Sequence, residues 1–260
     1  MQLSKRLKMI ADMADTCEVI CDIGTDHGYI PIYLVENAIC KKSLACDVVK
    51  GPLLAAQKHI KEAGLEEKID TLLGDGLTPV KPGYANEAVI AGMGGILITK
   101  ILLEGEDTAK SMGALILSPH SEYYEFRSFL YDNGYETIRE DMVKDLGKYY
   151  VAIKVKPNVA VSVAAELKDI EEKADLFKKA DISDTKENIL KAYLTYGKCL
   201  IYGDNETFIM YLHDEYDKLQ KLINTLNNAG QDKRKEEVMH DISINRLALK
   251  LRNVSEIINS

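Results

Sequence analysis

Residues 18–31 read EVICDIGTDHGYIP, and this stretch decides the fold. It begins as a short apolar run rich in β-branched residues, which predicts a buried strand. The run ends at Asp22 and Gly24, and a helix is predicted to begin near Tyr29. A strand that stops at Asp-x-Gly and turns into a helix is typical of the nucleotide-binding corner of a doubly wound sheet.

Two acidic side chains distinguish this corner from a dinucleotide-binding loop. In the G-x-G-x-x-G loop, bare backbone approaches a pyrophosphate at a helix N-terminus. Here Asp26 replaces the middle glycine, so carboxylates stand at both Asp22 and Asp26. Two carboxylates would repel a phosphate, but they suit a cofactor that carries an amine and a sulfonium cation. The loop therefore favours S-adenosylmethionine over NAD.

The next three predicted strands end in residues that also suit a ligand. Strands at 43–48, 69–73 and 88–91 lead to Asp47, to Asp75 and to the loop Gly92-Met93-Gly94-Gly95. The carboxyl ends of parallel strands lie at one edge of a sheet, where ligands bind, so we expect these residues to surround one site. Three glycines in four residues would let a ligand approach the backbone closely.

Two of these carboxylates also have ordinary structural alternatives. Asp47 lies about twenty residues past the glycine loop, from where a carboxylate can reach the ribose hydroxyls of an adenosine. It could instead cap the following helix. Asp75 could accept a hydrogen bond from an adenine amino group, or it could be a turn aspartate between two glycines. The residues alone leave both alternatives open, and the repetition at successive strand ends favours a ligand.

The rest of the first half completes an α/β sheet. A fifth strand is predicted at 114–117, and two more at 135–142 and 149–155 flank a turn. A series of five βα units closed by a hairpin predicts a seven-stranded class I (Rossmann-like) methyltransferase sheet rather than a symmetric dinucleotide fold.

Composition and charge limit the kinds of partner, site and compartment that the sequence allows. The 260 residues carry a net charge of −8, which argues against non-specific nucleic-acid binding by bulk charge but allows a local basic face. The five scattered cysteines form no C-x-x-C pair, so we expect reduced structural thiols and no metal site. The hydrophobicity pattern of the sequence shows neither a secretory leader nor a membrane-spanning run, and this predicts a cytoplasmic protein.

A change in composition near Pro157 predicts two domains, at residues 1–157 and 158–260. Apolar residues of the second domain alternate steps of three and four over 209–226 and again over 244–258, with a break at 227–230. Two such stripes predict an antiparallel coiled-coil hairpin. Basic residues near its tip and along one arm either contact phosphates or form a solvated face; they are Lys233, Arg234, Lys235, Arg246, Lys250 and Arg252.

Four motifs, taken together, resemble the bacterial TrmK family of tRNA adenine N1-methyltransferases, which act on adenine 22. In order, they are Asp22-Ile-Gly-Thr-Asp-His-Gly, Gly74-Asp-Gly-Leu, Ala91-Gly-Met-Gly-Gly and Ser118-Pro-His, followed by the helical region. The resemblance implies a coiled-coil domain that helps to hold tRNA. It also implies that the cofactor is lined by Asp22, Gly24, Asp26, Asp47, Asp75, Gly76, Gly92 and Met93.

The resemblance supplies no catalytic residue, so candidates come from the chemistry of the reaction. Neutral adenine has a free lone pair on N1, so attack on the sulfonium methyl needs no general base, whereas the product is a cation. The site should therefore supply position and negative or π-electron density. Because N1 lies on the Watson–Crick edge, the base must be unpaired or flipped. The candidate catalytic residues are Asp26, His27, Tyr29 and His120, with Glu122 near the last.

Several of these candidates, and the function itself, have competing interpretations. His27 could be a loop residue bonded to backbone, and His120 could merely end its strand. A methyltransferase with a small-molecule or protein substrate, whose coiled coil serves dimerisation, would suit the acidic composition. A non-catalytic binding module would not need all three strand-end acids. An NAD-dependent oxidoreductase is disfavoured by Asp26 in the glycine loop.

Overall fold

The computed structural model describes residues 2–229 and 232–258. The chain divides into two compact units at residues 160 and 161, close to the predicted boundary at 157 and 158. The first unit is an α/β domain and the second is helical. Among the described residues, no helix is both long enough and apolar enough to cross a membrane.

The first unit alternates strands and helices before it closes with a hairpin. In chain order its elements are α1 (Lys5–Ala11), β1 (Cys17–Ile23), α2 (Tyr29–Glu36), β2 (Cys40–Asp47), α3 (Lys50–Glu62), β3 (Ile69–Leu73), β4 (Glu87–Met93), α4 (Gly95–Glu104), α5 (Glu106–Lys110), β5 (Ala114–Pro119), α6 (Tyr123–Asp132), β6 (Glu136–Asp145) and β7 (Lys148–Lys156).

The seven strands form one sheet in the order β3-β2-β1-β4-β5-β7-β6. Strands β1 to β5 pair in parallel, whereas β7 runs antiparallel to both β5 and β6. The predicted α/β class with a seven-stranded sheet is confirmed. Because β1 pairs with both β2 and β4, the strand order reverses beside β1, which is where open α/β sheets bind ligands.

The sheet is buried on both sides, and this explains its apolar strands. Ile20 and Cys21 of β1 and Val89 and Ile90 of β4 are fully buried. Helix α1 covers one side by packing against β6, β7 and α2, with Ile10 fully buried. Parallel sheets that are covered on both faces have such near-continuous apolar runs.

An ion-pair cluster around the buried Lys154 joins distant strands of this unit; Glu87 is also buried, whereas Asp15 is exposed. The Lys154 Nζ atom on β7 lies 2.9 Å from Glu87 Oε1 on β4 and 2.8 Å from Asp15 Oδ2 before β1. It also donates a hydrogen bond to the Met13 carbonyl over 2.8 Å. Burial raises the pKa of Glu87, and Lys154 opposes that rise. Removing Lys154 would leave the buried Glu87 carboxylate without its ion-pair partner, so the cluster stabilises this arrangement of the strands.

Several strand ends differ from the predicted boundaries, including β2, which begins at Cys40, and β6, which ends at Asp145. Strand β4 continues to Met93, with an irregular register between Ala91 and Met93, and β5 includes Ser118 and Pro119. Gly92 has a φ of +84° at this irregularity. The glycine that was predicted to open a loop instead forms a bulge within the strand, which redirects the following residue.

Within residues 161–229 and 232–258, the second unit contains two long helices and four shorter ones. They are α7 (Val163–Glu172), α8 (Ala174–Lys179), α9 (Lys186–Tyr196), α10 (Lys198–Tyr202), α11 (Glu206–Ala229) and α12 (Asp232–Ile258). Helices α11 and α12 pack against each other, and α12 also packs against α8, α9 and α10. The long pair is therefore part of a bundle, and its coiled-coil character stays a prediction.

The predicted apolar stripes are only partly buried. In α12, Ile244, Leu247, Leu251 and Val254 are buried, whereas in α11 Leu212 and Leu226 are buried and the other stripe residues are half-buried. The Nδ2 atom of the buried Asn245 donates to the Leu212 carbonyl over 3.1 Å, which fixes the register of the pair. Helix α11 continues through Ala229; Gly230 and the Ile258 side chain lie outside the described residues.

Candidate functional site

A cavity of about 290 Å³ lies at the carboxyl ends of β1, β2 and β4. Its lining residues are Arg6, Leu7, Asp22, Gly24, Asp26, Tyr29, Ile30, Asp47, Ala91, Gly92 and Met93. The structure therefore brings together Asp22, Gly24, Asp26, Tyr29, Asp47, Gly92 and Met93 of the predicted site residues. Its position beside the reversal of strand order is the one expected for a ligand in this sheet.

The loop after β1 is held against the end of β2 by backbone hydrogen bonds. The amides of Gly24 and Thr25 both donate to the Cys46 carbonyl over 2.9 Å. Gly24 has a φ of +74°, and a Cβ at this position would collide with the terminal methyl of Met93. The backbone conformation favours glycine here, and a larger residue would also displace the flexible end of Met93.

Asp22 is a buried carboxyl surrounded by other acids. Its exposed fraction is only 4%. Burial is the main cause that raises the pKa of Asp22 to about 7; the nearby Thr25 hydroxyl opposes this rise, and the negative charges of Asp26 and Asp47 add to it. A positively charged ligand in the cavity would reverse this effect, since an opposite charge favours the ionised carboxylate.

Asp47 accepts a backbone hydrogen bond just before α3 and lines the cavity, while its contact with a ribose stays a prediction. Its Oδ1 atom accepts a hydrogen bond from the Val49 amide over 2.7 Å, at the start of α3. The side chain is also half-buried and lines the cavity. Because the backbone fixes one oxygen of this carboxylate, its second oxygen is held in position to bind a ligand.

Asp75 and Gly76 do not line the cavity, although their turn lies next to it. Asp75 is exposed, and its carbonyl accepts hydrogen bonds from the Thr78 amide and hydroxyl. The Gly74 amide donates to the Asp47 carbonyl over 3.0 Å, which ties this turn to the end of β2. Gly76 has a φ of +52°, in the left-handed region that favours glycine.

Three aromatic rings stack at the rim of the cavity. The ring centroids of His27 and Tyr29 lie 5.5 Å apart, and those of Tyr29 and His59 lie 5.3 Å apart. The His27 carbonyl contacts His59 Nδ1 at 2.9 Å, and the His27 Nε2 atom lies 3.4 Å from Asp26 Oδ1. Tyr29 lines the cavity itself, whereas His27 only flanks it. The contribution of His59 was not predicted, because its position in a helical pattern indicates a surface or packing residue.

His120 lies just outside the cavity lining, next to the lining residue Met93. Its amide donates to the Met93 carbonyl over 2.9 Å, and its ring centroid is 5.8 Å from that of Tyr150. Partial burial and the positive charges of Arg6 and Lys148 lower the pKa of His120. The imidazole is therefore uncharged at neutral pH.

Arg6 and Leu7 of α1 line the cavity, and sequence reasoning missed them. The available signal was the apolar stripe of α1, which places Leu7 toward the sheet and Arg6 next to it. That stripe alone could not show which edge of the sheet the helix covers. Ile30 and Ala91 complete the unpredicted part of the lining.

Residues 3–153 match the methyltransferase domain family. The chain belongs to this family. A tRNA (adenine(22)-N(1))-methyltransferase of Bacillus subtilis is 38% identical over 150 residues, which span 58% of this chain and 63% of that protein. The methyltransferase domain thus aligns with less than two thirds of that curated relative.

Solved structures extend the similarity over nearly the whole chain. The B. subtilis m1A22 tRNA methyltransferase TrmK is 28% identical with a TM-score of 0.76, covering 95% of this chain and 99% of its own. Mycoplasma capricolum TrmK in complex with S-adenosylhomocysteine is 25% identical with a TM-score of 0.74, covering 96% and 99%. The resemblance to the TrmK family that the motifs indicated is confirmed.

Proposed function

We propose that this protein uses S-adenosylmethionine to methylate the N1 atom of an adenine in tRNA, at position 22 as in its named relatives. The observation that supports this most strongly is the group of three carboxylates, Asp22, Asp26 and Asp47, around one cavity at the reversal of strand order. These three carboxylates would attract an adenosine derivative that carries positive charge, and they would repel a pyrophosphate.

The residues present fit this cofactor. The buried Thr25 hydroxyl has no hydrogen-bond partner of normal geometry within the described residues, so a ligand can supply one. The backbone is open at Gly24 and Gly92, where both glycines have positive φ. A cation in the cavity would offset the repulsion that raises the pKa of Asp22.

Each cofactor contact is assigned to a residue of this chain. Asp47 would bind the ribose hydroxyls, and Asp22 and Asp26 would bind the positively charged amino-acid end. Asp75, whose turn is tied to Asp47, would accept the adenine amino group, and Gly76 gives that turn its conformation. Gly24, Gly92 and Met93 would contact the cofactor closely, because they line the cavity beside those acids.

When bound, the cofactor supplies an electrophilic methyl group. The chain's own residues orient the acceptor base and stabilise positive charge on it. Asp26, which is 81% exposed, and the stacked rings of His27 and Tyr29 offer negative and π-electron density at the rim. His120 is uncharged at neutral pH and so adds no repulsion to a cationic product. These four residues are our proposed catalytic group.

The helical unit is proposed to help hold the tRNA. Lys233, Arg246 and Lys250 are exposed. By contrast, Arg234 Nη1 pairs with Glu237 Oε2 at 2.7 Å, and Arg252 Nη1 donates to the Gly203 carbonyl over 3.0 Å. Lys233, Arg246 and Lys250 are therefore our candidates for phosphate contacts. We place the activity in the cytoplasm and keep 1–157 and 158–260 as the proposed functional domains.

The decisive experiment follows labelled methyl from S-adenosylmethionine into unmodified tRNA, with mapping of the modified base. We expect methyl transfer to N1 of adenine 22 and none to a tRNA in which that base is replaced. Parallel reactions with total cell protein and with small-molecule extract as acceptors test the competing substrates. Label in protein or small molecules but not in tRNA would refute the assignment of the acceptor.

A further inference from the structure

Arg6 lines the cavity but belongs to none of the four sequence motifs. Arg6 lies on α1. Its backbone amide donates to Asp145 Oδ2 over 3.2 Å, and this bond holds the residue in place. Its guanidinium carbon lies 5.0 Å from the centroid of the Tyr150 ring. The Nη2 atom would lie 3.2 Å from a Cβ added to Gly92. The side chain therefore stacks on an aromatic ring, and its end lies next to Gly92 in β4.

The guanidinium of Arg6 has unused hydrogen-bonding capacity. Its Nε atom is buried and has no hydrogen-bond partner within the described part of the chain. Across those same residues, the Arg6 side chain also makes no ion pair. A buried donor without a partner is unfavourable, so an Arg in this state is a good candidate for binding an acceptor from a ligand.

We propose that Arg6 binds the α-carboxylate of the methionine portion of S-adenosylmethionine. The inference rests on the proposed function and adds a residue to the cofactor site. The cofactor carries two cations, the sulfonium and the ammonium, and one carboxylate. The cavity presents three carboxylates, at Asp22, Asp26 and Asp47, and a single guanidinium at Arg6. The charges of the cavity are thus complementary to both ends of this zwitterionic group.

The chemistry of Arg favours this ligand over the acceptor base. A guanidinium presents a planar fork of donors that matches the two oxygens of a carboxylate. A fixed positive charge beside the methylated adenine would oppose the cation that forms there. Contact with a tRNA phosphate is the competing assignment, and the experiment below distinguishes the two by ligand.

The test compares two ligands that differ in the amino-acid portion. S-adenosylhomocysteine carries the α-carboxylate, whereas 5′-methylthioadenosine keeps the adenosine and sulfur but lacks that portion. Both are titrated calorimetrically into the wild-type protein, Arg6→Gln and the matched control Lys5→Gln. Lys5 is exposed on the same helix, so its replacement removes the same charge without touching the cavity.

In Arg6→Gln we expect about a tenfold or greater loss of affinity for S-adenosylhomocysteine and unchanged affinity for 5′-methylthioadenosine. Lys5→Gln should bind both ligands as the wild type does. Unchanged affinity of Arg6→Gln for both ligands, or an equal loss for both, would overturn the proposal. A loss confined to tRNA would overturn it in favour of a phosphate contact.

A thermal melt of each variant checks folding. If Arg6→Gln fails to fold, Arg6→Lys replaces it, because Lys keeps the charge but loses the planar fork. We expect Arg6→Lys to lose part of its affinity for S-adenosylhomocysteine only, and full retention of that affinity would count against the assignment. Failure of the wild-type protein to bind S-adenosylhomocysteine would instead refute the proposed function.

Discussion

The amide of Gly24 and the carbonyl of Cys46 form a hydrogen bond of 2.9 Å between the loop after β1 and the end of β2. This bond brings the acidic loop beside Asp47, so that residues far apart in sequence line one cavity. Because both atoms belong to the backbone, this contact uses no side chain of the cavity lining.

Removing the charge of Asp47 should weaken cofactor binding. Asp47→Asn keeps an oxygen that can accept from the Val49 amide, but it cannot accept from two ribose hydroxyls as a carboxylate does. We expect about a tenfold loss of affinity for S-adenosylmethionine by calorimetry. Asp70→Asn, on the exposed face of the edge strand β3, is the control and should bind normally. Equal affinity in the two variants would remove Asp47 from the site.

Asp22 should make the ligand-free protein less stable as pH rises. Its pKa is about 7 in the folded protein, against an ordinary value of 3.8. A carboxyl whose pKa is raised on folding stabilises the protein below its ordinary pKa, and this contribution is lost as pH rises through the folded value. Asp22→Asn should therefore unfold at a higher temperature than the wild type at pH 8 and gain little at pH 4.

The same Asp22→Asn variant should bind S-adenosylmethionine at least about tenfold more weakly, since a neutral amide does not attract a cation. Stability gained together with affinity lost is typical of a residue retained for function. Thermal melts across pH 4–8 and calorimetry measure the two effects separately. A variant that melts like the wild type at pH 8 would contradict the raised pKa of Asp22.

Replacing Gly24 should harm both the fold and the site. Gly24→Ala places a side chain at a φ of +74°, which costs about 1–2 kcal/mol. Its Cβ would also displace the end of Met93, which lines the cavity. We expect a lower free energy of unfolding in urea and weaker S-adenosylmethionine binding.

Two further variants separate these causes. Adding Met93→Ala to Gly24→Ala removes the collision but leaves the strained backbone, so stability should not recover, and Gly24→Ala should cost less affinity in the Met93→Ala background than in the wild type. Gly51→Ala in α3 is the matched control, because nothing lies within 4 Å of its added Cβ. It should be neutral or slightly stabilising. A Gly24→Ala protein as stable as Gly51→Ala would show that the loop relaxes.

Neutralising exposed basic residues of α12 should affect tRNA and leave the cofactor site unchanged. The double variant Arg246→Gln and Lys250→Gln should bind tRNA more weakly, with the salt dependence of affinity reduced by roughly 0.7–0.9 per lost phosphate contact. S-adenosylhomocysteine affinity should be unchanged. Replacing Lys178 and Lys179 of α8, which are also exposed, by Gln controls for net charge. Identical salt slopes in both double variants would place the phosphate contacts elsewhere.

The sequence alone predicts those parts of the site that depend on residues close together in the chain. Asp22, Gly24 and Asp47 follow buried strands, and parallel strands carry such residues to one edge of the sheet. The seven strands were predictable for the same reason, since alternating apolar runs and helical patterns specify them one at a time.

Arg6 could not be predicted because its position depends on contacts far along the chain. The Asp145 side chain that accepts from its amide is 139 residues away, on a strand of the closing hairpin. No local sequence pattern indicates a contact between residues so far apart in the chain. In the helical unit, the stripe of α12 predicted a partner helix, but an apolar stripe does not reveal that α9 and α10 pack against the same helix.

The burial of Asp22 also has a calorimetric consequence. A carboxyl with a pKa of about 7 holds a proton in roughly half of the molecules at neutral pH. A bound sulfonium would favour the ionised form, so each binding event would release a fraction of a proton to the solution. The apparent enthalpy of binding should then differ between Tris and phosphate, because the two buffers take up protons with different heats.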